Sequence, residues 1–212
     1  MTVHDQWQLL VQQVLETDWI QWTAVILGVL EVLYARAGKI WLYPAGLVST
    51  LLTIYVLFGS GLYAESLLNG YYVVMSVYGW WYWARKKGIP PVKPSYCNRR
   101  QWEIVLAIVV GGTGVLYVLL KYCTPFMRYF TPSTVPFWDS WVSATAWAGM
   151  WLLARRKIEN WVLLNISNAF AVPLLLYKRL PLFSAMTVFL FVIAVQGYFQ
   201  WRKEIRLAAD QS

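Results

Sequence analysis

Residues 154–161 read Ala154-Arg155-Arg156-Lys157-Ile158-Glu159-Asn160-Trp161, a basic turn set between two long apolar runs. The outline occurs once before, where Ala35-Arg36 is followed by Trp41. A further run after each turn closes on Gly-x-x-x-Trp, at Gly79 to Trp83 and at Gly197 to Trp201. Trp41 and Trp83 are 42 residues apart, Trp161 and Trp201 are 40 apart. Several ordered matches at nearly constant offset predict a duplicated unit.

Outward from these turns lie seven apolar runs of about 17 to 22 residues, enough to cross a hydrocarbon core of about 30 Å. They are Trp19 to Ala35, Ile40 to Phe58, Leu62 to Trp83, Trp102 to Tyr122, Pro136 to Ala154, Asn160 to Tyr177 and Pro181 to Trp201. A three-helix unit duplicated directly would invert in the membrane, so the Trp102 to Tyr122 run is the extra crossing that keeps the repeats parallel. Its Gly111, Gly112 and Gly114 suit close packing. The prediction is an all-α membrane protein of seven transmembrane helices, two parallel three-helix repeats joined by a linking helix. Its divisions are an outer segment 1–18, repeat 19–83, a loop, linking helix and outer loop 84–135, repeat 136–201, and a tail 202–212. Transporters use such repeats, with the substrate near mid-membrane at the repeat interface.

Composition agrees, since 59% of residues are hydrophobic and 13% charged, against about a quarter charged in soluble domains. Alternating loops place 14 of 18 Lys and Arg on one side, at Arg36 to Lys39, Arg85 to Arg100, Arg155 to Lys157 and Arg202 to Arg206. That side is expected to be cytoplasmic. The N-terminus carries His4, Asp5, Glu16 and Asp18. With no Lys or Arg it is expected to lie outside, with the C-terminus inside, and without the basic start of a signal peptide it is expected to be retained. The net charge of +8 lies in short loops, not in the solvated basic domain that nucleic-acid binding requires. Cys97 and Cys123 fall on opposite sides and cannot bridge.

There is no Walker loop, metal-ligand cluster or nucleophile with its base, so no catalytic residue, metal or cofactor is expected. Polar side chains inside a bilayer mark a pathway or tie helices together. Ser49, Thr50 and Thr53, Asn69, Asn165 and Asn168, and Gln196 are such residues. Trp161 precedes Asn165 by one turn and offers a stacking face. Tyr72, Trp147 and Trp151 lie mid-span. The predicted substrate-binding set is Trp161, Asn165, Asn168, Asn69, Gln196, Ser49, Tyr72 and Trp147. Trp80, Trp81 and Trp83 read as an aromatic belt. Glu31, five residues before Arg36, reads as a snorkelling, paired end group, with a functional role as the alternative. Asp139 opens a helix, where a carboxylate is favoured by the dipole.

The strings Pro136-Phe137-Trp138-Asp139-Ser140, Arg156-Lys157-x-Glu159-Asn160-Trp161, Leu62-Tyr63-Ala64 and Tyr78-Gly79-Trp80 resemble the bacterial Pnu family of vitamin transporters. The likeness runs from about Gly28 to Trp201, and the family's SWEET-like 3+1+3 order agrees with the repeats. It implies facilitated diffusion of a vitamin or precursor through the inner membrane, with nicotinamide riboside in the best-known members and thiamine or riboflavin in others. A separate cytoplasmic kinase then traps the product. Leu164 stands where nicotinamide riboside members carry a second Trp. Ser49, Asn69 and Gln196 replace their Asn, Gln and Asn, and Asn165 replaces an apolar residue. These departures favour thiamine, with nicotinamide riboside as the alternative.

Both vitamins are aromatic cations, which Trp and Tyr faces attract by about 0.5 to 2 kcal/mol. A retinal protein needs a Schiff-base Lys in its last helix, and Pro181 to Trp201 contains none. A sugar carrier and a non-transporting membrane subunit are the remaining rivals. Expected partners are the vitamin and membrane lipid, not nucleic acid. The oligomeric state is left open, a homo-oligomer included.

Overall fold

A computed structural model describes residues 3–59, 63–84, 93–123 and 133–210. Leu62 of the Leu62-Tyr63-Ala64 string, the basic residues 85–92, most of the loop before residue 133 and the Cys123 side chain lie outside the described residues.

The chain is all-α. Its helices are α1 (Val3–Glu16), α2 (Trp19–Arg36), α3 (Leu42–Gly59), α4 (Tyr63–Ala84), α5 (Arg99–Val118), α6 (Pro136–Ala154), α7 (Glu159–Tyr177) and α8 (Pro181–Ala209), with a π turn Leu119–Cys123 ending α5. Local chemistry sets several starts. The Asp18 carboxylate accepts the Trp19 N–H before α2, Asn98 and Gln101 form a capping box at α5, and α6 and α8 open on proline, whose missing N–H costs nothing in a first turn.

Where seven crossings are predicted from the apolar runs, four helices among the described residues are long and apolar enough: α3, α5 through Tyr122, α7 and α8. A fifth arises if α1 and α2, bent by 106°, form one broken span. Helices α4 and α6 have comparable length, but Tyr, Trp, Ser, Thr and Asn dilute their apolar character.

The N-terminal segment, predicted only as polar, forms α1. Trp7, Val11 and Leu15 make an exposed apolar stripe at the four-residue spacing of one helix face. On α1, Gln13 donates to the Arg179 carbonyl at 3.0 Å and accepts the Leu182 N–H at 3.2 Å, docking the helix on the start of α8.

Helices α2 to α4 and α6 to α8 make matching contacts. The Ser49 hydroxyl donates to the Ala24 carbonyl at 2.7 Å, and 118 residues on, Ser167 donates to Val142 at 2.8 Å. Ser66 donates to Ile54 at 3.3 Å, and Ser184, again 118 residues on, to Val172 at 3.2 Å. This corrects the register read from Trp41. The counterpart of Trp161 is Tyr43, and Trp41 is 64% exposed. Tyr43 packs on Gly79 and meets Trp83 edge-on at 5.3 Å; Trp161 packs on Gly197 and meets Trp201 edge-on at 5.4 Å. A glycine under each ring lets the helix backbones approach. The two halves touch along α4–α6 and α2–α8, while α5 packs on α6.

Candidate functional site

The seam between the halves carries most of the chemistry. Along α4–α6, Tyr71 stacks on Trp147 with ring centroids 4.8 Å apart, and its hydroxyl donates to the Trp147 carbonyl at 3.1 Å. Tyr72 meets Tyr71 edge-on at 6.2 Å. The indole N–H of Trp147 is buried without a hydrogen-bond partner. Along α2–α8, the Arg36 guanidinium donates to Gln196 and, at 3.1 Å, to Gln200.

One end of this seam, where the basic turns lie, is tied shut. Trp83, ending α4, donates its indole N–H to the Ala154 carbonyl at 3.0 Å. Trp201, near the end of α8, donates to the Arg36 carbonyl at 3.1 Å. Each half thus bonds the last turn of the other half's first helix. Arg156 lies between them, its guanidinium 4.8 Å from the Trp83 ring and 5.7 Å from the Trp201 ring. Its φ of 55° is left-handed, which is strained for a side-chain-bearing residue. The counterpart, Gly38, shares that conformation, and the Arg156 guanidinium fills the space a side chain there would take. Burial lowers the Arg156 pKa while Glu204 and Tyr43 pull it back up, and a guanidinium stays charged at physiological pH.

The predicted residues are spread over several places. Tyr72 and Trp147 join at the α4–α6 seam and Gln196 at the α2–α8 seam. Trp161 and Ser49 are buried in helix packing, the first against Gly197 and Trp201, the second bonded to α2. Asn165 opens on an apolar groove of about 430 Å³ between α7 and α8, with Val162, Ile166, Phe191 and Phe199, and its side-chain oxygen is buried without a partner. Asn168 and Asn69 are half-buried. The structure therefore does not gather the eight around one point.

The Glu159-Asn160-Trp161 string is also occupied locally. Glu159 accepts the Cys97 N–H at 2.8 Å, and the Asn160 amide donates to the Lys157 carbonyl at 2.5 Å. Lys157 adds bonds to Ser95 and to the Tyr96 carbonyl, pinning the segment before α5 to the α6–α7 turn. Asp139 opens α6 as expected and also holds Lys178 in a salt bridge at 2.6 Å. Sequence reasoning missed Tyr71, Arg156 and the reciprocal roles of Trp83 and Trp201. The shared Gly-x-x-x-Trp endings were the signal for the last two.

Helices of membrane length, packed as two like halves around an aromatic and polar seam, define a multi-pass membrane protein. The chain belongs to the nicotinamide mononucleotide transporter family, whose sequence model matches residues 18–203. It is 26% identical over 210 residues to the nicotinamide riboside transporter PnuC of Escherichia coli, covering 90% of this chain and 88% of that one. To the nicotinamide riboside transporter PnuC of Neisseria mucosa it is 29% identical over 205 residues, covering 92% and 76%. The crystal structure of the vitamin B3 transporter PnuC matches with a TM-score of 0.71 at 27% identity, covering 97% of this chain and 93% of that one. The expected kinship with the Pnu family is borne out.

Proposed function

We propose that the protein carries nicotinamide riboside across a bacterial cytoplasmic membrane by facilitated diffusion. Seven crossings in a 3+1+3 order, with the N-terminus outside and the basic turns inside, are part of this reading. The contacts that recur at an offset of 118 residues, as from Ser49 to Ser167, support the paired three-helix halves. The polar faces of α4 and α6 are tolerated because protein, not lipid, meets them along the seam. The preference for thiamine expected from the sequence draws on Leu164 and on the exchanged residues at Ser49, Asn69, Asn165 and Gln196. One observation moves the balance: a Cβ at Gly149 would stand 2.9 Å from both Cγ and Cδ2 of Leu164. Leu164 thus serves the α6–α7 contact, and its lack of a ring concerns helix packing before substrate. Relatives named for nicotinamide riboside, matched over most of their length, then weigh more.

No nucleotide motif is present in the sequence, and an interior-negative potential favours entry of a cation by about 2.3 kcal/mol per 100 mV. Phosphorylation by a separate kinase inside the cell would keep the gradient directed inward. Binding calorimetry with nicotinamide riboside, thiamine, riboflavin and glucose tests the substrate. Tightest binding of nicotinamide riboside is expected, and tighter binding of thiamine would reverse the assignment.

A further inference from the structure

Glu31 was expected to pair with Arg36, but Arg36 turns to Gln196 and Gln200 on α8. The Glu31 carboxyl instead lies against α3, where a Cβ added at Gly46 would collide with its carbon and both oxygens. Among the described residues no cation lies within salt-bridge distance of it and no hydrogen bond reaches it. Arg156, also at this end, is held over Trp83 and Trp201.

The second half shows what packing alone needs at this place. The positions equivalent to Glu31 and Gly46 are Gly149 and Leu164, and there Leu164 fills the notch over Gly149. A large side chain facing a glycine recurs in both halves, but only the first half fills the notch with a carboxyl group. An apolar end satisfies the packing, so the acid is surplus to it. Ties between helices recur in pairs, as Ser49 with Ser167 and Ser66 with Ser184 do. A feature present in one half only suits a ligand with one distinctive end.

Its neighbours point the same way. Tyr43 stands one turn before Gly46 on α3, the helix that the Glu31 carboxyl lies against, and Tyr72 on α4 is near enough to feel the Glu31 charge. The Tyr43 hydroxyl is buried without a hydrogen-bond partner. Tyr72 adjoins Tyr71, which stacks on Trp147 across the seam. A carboxyl group, two phenols and two broad rings therefore lead from α2 to the junction of the halves. An unpaired acid within a membrane bundle is costly and marks a functional site by default.

Resting on the substrate reading above, we propose that the Glu31 carboxylate is the counter-charge for the quaternised ring nitrogen of the carried nucleoside, with Tyr72 and the Tyr71–Trp147 pair beside it. The residue then sets specificity for a cationic over a neutral aromatic ring. The fixed cation cannot shed its charge, so the carboxylate gains a partner it lacks within the protein.

The test is calorimetry on the purified full chain with nicotinamide riboside and with its uncharged 1,4-dihydro form, which is nearly the same shape. Wild type should prefer the cation. Glu31→Gln should weaken cation binding by roughly ten- to a hundredfold, the range of a hydrogen bond to a charged group, while binding of the neutral form holds and reports an intact fold. Equal affinities in wild type, or a preference for the cation that survives in Glu31→Gln, would overturn the proposal. Should Glu31→Gln fail to fold, the wild-type preference and its retention in Glu31→Asp decide. If wild type takes thiamine and neither riboside, the substrate reading fails, and loss of thiamine binding in Glu31→Gln still decides the role of Glu31.

Discussion

At the scale of single residues, the structure separates side chains that tie helices from those that face the seam. Ser49 and Ser167 each close one bond between neighbouring helices. Replacing either by alanine should cost about 0.5 to 1.5 kcal/mol of stability and leave substrate affinity unchanged, as thermal unfolding and calorimetry on the same sample would reveal. A fall in affinity at constant stability would assign Ser49 to the site instead. Cys97 gives a pH-dependent prediction outside the helices. Burial, then its hydrogen bond to Glu159 and the charge of that group, push its thiol pKa up to about 12, against a smaller downward pull from Lys157. A raised pKa leaves the unreactive thiol dominant until the pH approaches that value. Maleimide labelling of Cys97 at pH 8, in a Cys123→Ser chain, should therefore be much slower than for a free thiol, and Glu159→Gln should speed it. Rapid labelling of Cys97 in the Cys123→Ser chain would contradict this.

Among whole elements, the glycines beneath Tyr43 and Trp161 fix how closely the helices of each half approach. A Cβ at Gly197 would lie 2.7 Å from the Trp161 ring, and one at Gly79 would lie closer still to Tyr43. Gly197→Ala should destabilise by roughly 1 to 3 kcal/mol through overpacking, and Trp161→Phe in the same chain should recover part of it. An unchanged melting temperature in Gly197→Ala would mean that the contact is loose. These elements were largely legible beforehand, because apolar length and the paired Gly-x-x-x-Trp endings are properties of sequence alone. The register was less so: Trp41 imitates Trp161 in type, but only the contacts of Tyr43 reveal the true counterpart. Helix α1 was missed because its stripe of Trp7, Val11 and Leu15 is too sparse to raise a polar segment above its composition. The separation of Asn165 from Tyr72 and Trp147 was not legible either, since residues sharing one helix face need not share a neighbour across the bundle.

Across the whole molecule, two like halves meet at a seam whose one end is held by Trp83, Trp201 and Arg156. Those ties are few and individually weak, about 0.5 to 2 kcal/mol each, so rocking one half against the other can break them within the reach of substrate binding. Trp83→Phe together with Trp201→Phe should keep the rings and remove both indole donors. The pair should expose this end to a water-soluble cysteine reagent at a site placed beside Ala154, and unchanged protection would show that the bonds do not hold it. The proposed passive carriage of nicotinamide riboside is measured by counterflow in proteoliposomes. Vesicles loaded with unlabelled nicotinamide riboside should accumulate the labelled compound transiently with no proton or sodium gradient imposed. Accumulation that requires such a gradient, or exchange that occurs for thiamine and not for nicotinamide riboside, would rule out passive carriage of nicotinamide riboside.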